Sequence, residues 1–518
     1  MSQPKKNSMT TKLSREIIES LKLSKVGFEK ESMRVYQSSI AQTDHPSSLG
    51  SSLCNSYITT DFSESQLEMI TPPFSEKQEA ISFLKNIHHF ISHNIGDEVI
   101  WPFSMPPTIR SESEIRIANF GSSNKGKFRH IYRKGLSLRY GRLMQAISGV
   151  HFNFSFDNEI WLNDCFRKNF SNIVEARSEN YFAMLRNIQR MNWLLIYSFG
   201  ASPIISKNFI KRKENNKLDL ERLDEDHYFL PYSTSLRMSD FGYKNDKRLN
   251  FDVSFDSLNE YISGLIYANE NVCHEFSNFE KTDPESQLNS NFLQIEDEYY
   301  AVARPKSQNT SFTKTTSKLK KSGVDFIELR SLDLNPFDPL GIDNDTALFL
   351  EIFLILCLLM DSKPTGKTEV RENNYNDNMV AKYGRKPGLE LYRDSNKVLM
   401  KDWSNEILDE MEMIANILDE KNNIYTNALQ NVRARISNPR LTFSHKILDI
   451  VREENISIVD LGCQIAKKNK DYFTNISNDK NPLWNEFSNE AKRSHSQQQK
   501  LEKSDKSFQE FSKIYYKS

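Results

Sequence analysis

Residues Val150 to Phe156 alternate without a break, Val-His-Phe-Asn-Phe-Ser-Phe. An extended strand sends successive side chains to opposite faces, so Val150, Phe152, Phe154 and Phe156 share one side while His151, Asn153 and Ser155 share the other. Such a strand needs an apolar layer behind it and a polar surface in front. Three more segments repeat the pattern. Within Val324 to Arg330, Ile327 and Leu329 share a face, with Glu328 and Arg330 opposite them beside Phe326. Within Gly27 to Glu31, Glu29 and Glu31 project together; within Gln66 to Ile70, Glu68 points away from Leu67 and Met69, shortly after Asp61-Phe62. Singly, each is an ordinary amphipathic strand with one face to water. Together they depart from a solvated face, which mixes Lys, Thr, Ser and Glu. Here carboxylates, one His and one Arg recur on strands with strongly apolar backs. Carboxylate oxygens with an occasional imidazole suit magnesium or manganese, and arginines on the same surface suit an anion held by forked hydrogen bonds. The expected object is a sheet with one face able to hold a metal–nucleotide.

The rest of the chain limits the alternatives. Lys plus Arg number 68 against 69 Asp plus Glu, a formal charge of −1, which argues against a dedicated nucleic-acid binder, whose affinity comes from clustered cations. The 518-residue chain is polar by its mean hydropathy of −0.61, yet 33 Phe and 20 Tyr supply bulky core material. The amino terminus is polar and lacks the apolar core of a signal peptide. The most apolar run, Ala347 to Met360, is too short to span a bilayer and carries Glu351, so it reads as a buried helix and no membrane partner is expected. Cys54, Cys165, Cys273, Cys357 and Cys463 form no C-x-x-C pair, consistent with reduced thiols in the cytoplasm.

Helical periodicity opens the chain and returns over Glu76 to His93, Asn172 to Phe199 and Ser404 to Val432. Lys211 to Asp226 and Lys306 to Lys321 read as polar surface insertions, and the Lys-, Gln- and Ser-rich end as a peripheral helix. No repeat or linker divides the chain, so a single domain over 1–518 is expected.

Several familiar motifs are excluded. Gly121 to Lys127 nearly spells a nucleotide-binding G-x-x-x-x-G-K-S/T loop, but Phe128 stands where the hydroxyl belongs; it is read instead as a flexible, donor-rich loop. His89 and His93 lack the H-E-x-x-H setting of a zinc protease and read as helix-surface or core residues. No cysteine has a nucleophile's context, and no G-x-S-x-G stands out.

The polar-faced strands belong to longer blocks. GFEKESMRV (Gly27 to Val35), ITTDFSESQLEMITP (Ile58 to Pro72), WPFSMP (Trp101 to Pro106), FGSSNKGKFRHIYRKGL (Phe120 to Leu136) and RYGRLMQAISGVHFNFS (Arg139 to Ser155) resemble the glutamate–cysteine ligases of gamma-proteobacterial type. So do FGASP (Phe199 to Pro203), LPYSTSLRMSDFGY (Leu230 to Tyr243), LQIEDEYYAVARPK (Leu293 to Lys306), IELRSLDLNPFDPLGI (Ile327 to Ile342) and GRKPGL (Gly384 to Leu389). They occur in family order across most of Val26 to Leu389, which implies a single catalytic domain with a family-like core over about 20–390 and a mostly helical part over about 391–518. The resemblance implies an α+β fold, a cup-shaped, mainly antiparallel sheet with flanking helices like the glutamine synthetase core. It implies a cytoplasmic, monomeric enzyme that uses ATP, with magnesium or alternatively manganese, to join L-glutamate to L-cysteine through γ-glutamyl phosphate, the first step of glutathione biosynthesis. By matching position, Glu29, Glu31, Asp61, Glu68, His151 and Glu328 would bind metal, and Arg237 and Arg330 the phosphoryl group and charged substrate. Phe62, Tyr132, Leu136, Gln145, Tyr243 and Tyr300 would form the cysteine pocket; no residue is matched to the adenine. A related ligase taking another amine, or a non-catalytic relative, would share much of this sequence, but all six metal-face positions are occupied.

Overall fold

The computed structural model describes residues 17, 20–211, 219–242, 251–419, 422–504 and 506–518. In chain order its strands are β1 (Lys25–Tyr36), β2 (Ser39–Ile40), β3 (Ile58–Thr60), β4 (Gln66–Ile70), β5 (Val99–Ile100), β6 (Val150–Ser155), β7 (Ile204–Ser206), β8 (Glu221–Arg222), β9 (His227–Phe229), β10 (Ala303–Lys306), β11 (Phe326–Leu332), β12 (Glu390–Arg393) and β13 (Asn396–Leu399). The main sheet is antiparallel and runs β10-β11-β6-β1-β4-β3, with β2 and β5 paired to the far end of β1. Its first and last strands do not pair with each other, so the sheet is open rather than a barrel.

The alternation read from the sequence sets the layers. Val26, Phe28, Phe152, Phe154, Ile327 and Leu329 are buried behind the sheet, and each such side chain removed from water contributes roughly 1.5–3 kcal/mol. The helix Lys77–Asn94 packs behind β1 and β4, and Ile173–Phe199 behind β10 and β11. Asn172 caps the latter, its side chain accepting from the Glu175 N–H at 3.0 Å. The helix Asn344–Leu359, buried on all sides from Thr346 onward, packs on both. This is the apolar run whose length ruled out a membrane span, and no helix among the described residues is long and apolar enough to cross one.

Glu351 sits in the middle of that helix with a side chain 1% exposed. Its carboxylate meets Lys77 Nζ at 2.5 Å, accepts from Tyr425 Oη at 2.8 Å, and accepts from the Ser24 hydroxyl. One buried charge therefore ties the strand entrance, two core helices and a C-terminal helix together.

The expected helix over Ser404 to Val432 is two helices, Met400–Leu418 and Ile424–Ser437. Asp419 accepts from the N–H groups of Tyr425 and Thr426 at 3.0 and 2.8 Å, so it separates them as a cap. The Gly121 to Lys127 segment is no free loop: Ser123 accepts from the Gly126 N–H at 3.1 Å and starts the helix Asn124–Tyr140. Of the Lys211 to Asp226 insertion, Glu221–Arg222 forms β8 beside β9, and residues 212–218 lie outside the described set, as does most of the helical opening of the chain.

Breaking the Glu351 cluster on one side should be costly. Lys77→Met leaves a buried carboxylate without its cation and should destabilise the protein by about 3–5 kcal/mol, whereas Lys77→Met combined with Glu351→Leu should regain most of that loss. Urea unfolding of both variants checks this.

Candidate active site

The strand register gathers the acidic face. Glu29 on β1 stands opposite His151 on β6, and Glu31 stands opposite Glu68 on β4. Glu328 on β11 is flanked by Asn153 on β6 and Arg304 on β10. His151 lies at the centre: Nδ1 is 3.4 Å from Glu29 Oε2 and 3.5 Å from Glu328 Oε1, and Nε2 is 3.4 Å from Glu31 Oε1. Donor atoms of Glu29, His151 and Glu328 all lie within 4.8 Å of one another. Asn153 Nδ2 donates to Glu29 at 2.9 Å and Thr59 Oγ1 to Glu68 at 2.8 Å, which fixes both carboxylates.

Glu29, Glu31, Glu68, His151 and Glu328 line a cavity of about 490 Å³. The same cavity is lined by Asp61, Arg237, Arg330, Phe62, Tyr132, Leu136, Gln145 and Tyr300. Every site residue expected from the sequence is thus brought to one place except Tyr243, which lies outside the described residues. Arg330 Nη1 is 3.6 Å from Glu328 Oε2, and Arg237 Nη2 donates to the Arg330 carbonyl at 2.9 Å.

Charge crowding sets the protonation states. Burial, reinforced by the Asp61 and Glu68 carboxylates, pushes Glu31 well above the usual carboxyl range. Burial with Asp61 and Glu29 pushes Glu68 up to about 7. Burial acts the same way on Glu29 and Glu328, but it is overcome. The His151 hydrogen bond leaves Glu29 below its ordinary value, and Lys306 with Arg330 hold Glu328 well below it. Burial and the nearby Arg330 lower the His151 imidazole, which keeps it neutral and able to offer a lone pair.

A divalent cation fits these residues. Glu328 Oε2 is buried and accepts no hydrogen bond among the described residues, and Asn153 Oδ1 is likewise without a donor. Carboxylate oxygens with one neutral imidazole form a hard donor set of the kind magnesium or manganese takes.

Sequence reasoning missed much of the rim. Lys125, Arg129 and Arg133 line the cavity from the helix Asn124–Tyr140, one turn apart. Their i, i+4 spacing was readable, but nothing in the sequence says that this helix covers the sheet. Arg133 Nη2 is 4.0 Å from Asp61 Oδ1, and Arg133 Nε donates to the Asp61 carbonyl. Lys306, on β10, reaches Glu328 Oε1 at 3.5 Å. The segment expected to be a surface insertion is partly cavity wall, since Thr310 to Thr313, Thr315 and Lys318 line it. The carboxy-terminal helix Phe508–Lys517 is not merely peripheral: Tyr515 lines the cavity and packs on Phe128 with ring centres 4.8 Å apart.

An antiparallel sheet with helices behind it, and an acidic face beneath a cationic rim, defines a site suited to a metal ion and an anionic ligand together. Comparison with known proteins narrows this class. A model of the family described as glutamate-cysteine ligase matches residues 11–380. The chain is 39% identical over 458 residues to the glutamate–cysteine ligase of Alcanivorax borkumensis, covering 86% of this chain and 87% of that one. It is 38% identical over 499 residues to that of Aliivibrio fischeri, covering 95% of each. A crystal structure of the Francisella tularensis glutamate–cysteine ligase in complex with AMP superposes with a TM-score of 0.88 at 35% identity, covering 95% of this chain and 97% of that one. The chain belongs to the glutamate–cysteine ligase family.

The crowded carboxylates give a pH signature. Glu68 keeps its proton in the folded chain up to about pH 7, while an unfolded glutamate loses it near 4.5. The stability this proton contributes is whole below the unfolded value and is lost as pH rises through about 7. In chelator, Glu68→Gln should therefore raise the thermal midpoint at about pH 8 and change it little at about pH 5. Thermal unfolding at the two pH values reads the difference.

Proposed function

We propose that this cavity is where the γ-carboxylate of L-glutamate is activated by ATP and joined to the amine of L-cysteine, giving γ-glutamylcysteine for glutathione synthesis. The observation that carries this reading is the meeting of Glu29, His151 and Glu328 donor atoms within 4.8 Å, beside Arg330. The AMP bound to the Francisella tularensis relative supports a nucleotide in this fold.

Oxide cannot leave a carboxylate, so the acid must first become an acyl phosphate. The γ-phosphoryl group moves from ATP to a γ-carboxylate oxygen and ADP departs. The cysteine amine then attacks the acyl carbon, loses a proton, and expels phosphate. Phosphoryl transfer asks for alignment and charge neutralisation more than for a covalent partner. Glu29, His151 and Glu328, with Glu31 on β1, Asp61 just after β3 and Glu68 on β4, would hold divalent cations, magnesium or manganese. Such cations, when bound, neutralise and align phosphate oxygens. Proton affinity is part of the same design, because Glu31 and Glu68 must give up protons that burial and the neighbouring carboxylates favour. Arg237 and Arg330 orient the transferring group and the anionic substrate through forked donors. Phe62, Tyr132, Leu136, Gln145 and Tyr300, with Tyr243, form the pocket for the cysteine side chain, whose soft sulfur is read by ring edges rather than by strong hydrogen bonds.

Three measurements test this. Phosphate release by purified protein with ATP, magnesium and glutamate should be fastest with cysteine across a panel of amines; equal rates with other amines would point to a different ligase. Glu328→Gln keeps the shape and removes a charge, so turnover should fall by about 100-fold or more with little change in thermal midpoint. Near-normal turnover would remove Glu328 from the metal face. Tyr300→Ala should narrow the lead of cysteine over 2-aminobutyrate by roughly ten- to two-hundred-fold. An unchanged ratio of specificity constants would take Tyr300 out of the pocket.

A further inference from the structure

Two sequence blocks, Phe199 to Pro203 and the stretch after Arg330, have no role in the reaction as described, yet the fold brings them together around Asp333. Its side chain is fully buried and does not line the cavity. Three neutral donors fix it: the Ala201 N–H and Ser202 Oγ donate to Oδ2 at 2.8 and 2.7 Å, and Ser235 Oγ donates to Oδ1 at 3.0 Å. Among the described residues, the charge that faces this carboxylate at short range is Arg237, whose Nη1 is 3.6 Å from Oδ1. The connection is doubled through the backbone, because Ser202 Oγ also accepts from the Arg237 N–H at 3.2 Å.

The guanidinium is confined on its other sides too. Nη2 donates to the Arg330 carbonyl at 2.9 Å. The plane lies against Gly149, where a methyl group would stand 2.2 Å from Nη2 and 2.7 Å from Cζ. Gly149 does not have positive φ, so its lack of a side chain serves close approach and not backbone conformation. Arg237 is only 3% exposed, and its Nε makes no hydrogen bond among the described residues. A buried arginine with an unused donor, in the wall of a cavity, is arranged for a ligand that is itself an acceptor.

We infer that Asp333 is the positioning residue of Arg237: a carboxylate anchored by Ala201, Ser202 and Ser235 holds the guanidinium flat on Gly149, so that its remaining donors face the transferring phosphoryl group. The inference rests on the reading of Arg237 as a contact to that group. Asp333 touches no substrate. It acts by removing the freedom of a long side chain before the substrate arrives, and a misplacement of about 1 Å at such a contact can cost about 100-fold in rate.

The test uses full-length protein with ATP, magnesium, glutamate and cysteine, and reads kcat, the KM of each amino acid and the thermal midpoint. Asp333→Asn keeps acceptor and shape but removes the charge. Gly149→Ala keeps every charge, and the atoms its methyl group meets first are those of the Arg237 guanidinium. Each should lower kcat by about 100-fold, with the KM of cysteine little changed and Gly149→Ala retaining the thermal midpoint. In an Arg237→Lys background, Asp333→Asn should add almost nothing, because its partner is already gone. Losses that multiply in the double variant would mean a general structural role and overturn the proposal, as would normal turnover of Gly149→Ala, which also decides the matter if Asp333→Asn does not fold. Arg237→Lys impaired while Asp333→Asn turns over normally would sink the positioning role alone. Full activity of Arg237→Lys would instead overturn the reading of Arg237 on which it rests.

Discussion

Mutual repulsion among Glu29, Glu31, Glu68 and Glu328 is the constraint to which the rest of the molecule answers. Strand pairing places Glu29, Glu31 and Glu328 around one imidazole, His151, with contacts of 3.4 to 3.5 Å, and sets Glu68 opposite Glu31. Burying carboxylates side by side is costly, and the cost appears in the raised proton affinity of Glu31 and Glu68. Lys306 and Arg330 offset part of it at Glu328. The remainder must be met by the frame, and the layer of Phe28, Phe152, Phe154, Ile327 and Leu329 behind the same strands is where that stability is stored. Carboxylates crowded in this way favour positive charge among them.

The frame is not purely apolar. Lys30, between Glu29 and Glu31 on β1, points to the back of the sheet and meets His88 at 2.9 Å. Burial lowers its amine to about 7, and the same burial, with Lys30 nearby, holds His88 well below the usual imidazole range. Arg34 pairs with Glu98 at 2.5 Å, and Lys77 with Glu351 at the same distance. Such pairs add little net stability over apolar packing, but each admits one partner and so fixes how helices and strands meet. They reconcile a low mean hydropathy with an extensive core.

Segments far along the chain complete the site. Tyr515, Phe312 and Phe128 form an aromatic cluster, with Phe128 and Phe312 ring centres 5.4 Å apart and Phe312 and Tyr515 5.2 Å apart. Tyr516 Oη donates to the Gln294 carbonyl at 3.0 Å and accepts from Asn289, while the Lys314 N–H donates to the Ser518 hydroxyl at 3.1 Å. The last helix thereby fastens the segment after β10 against the helix Asn124–Tyr140, and the cavity wall depends on a contact closed across most of the sequence. Asp333 belongs to the same logic: its donors come from Ala201, Ser202 and Ser235, and the arginine it faces, Arg237, stands two residues beyond Ser235.

The sequence by itself determined the elements and the chemistry of the sheet. A period of two with Phe at every other position leaves one orientation for β6, and the acidic residues of β1, β4 and β11 follow from the same alternation. Family resemblance then assembled Phe62, Tyr132, Leu136, Gln145, Tyr300 and the two arginines into a site that the cavity contains. Register belonged to the tertiary structure: that Glu29 meets His151, and Glu31 meets Glu68, depends on which strands pair and where each starts, which local pattern does not encode. The same holds for the rim. Lys125, Arg129 and Arg133 look like a solvated helix face until the helix is laid over the sheet, and Thr310 to Thr313 look like a loop in water until Tyr515 packs behind them. Alternation is a property of neighbouring residues and survives in any window of the chain, whereas a cavity is made by segments whose contact is settled only when the whole core closes.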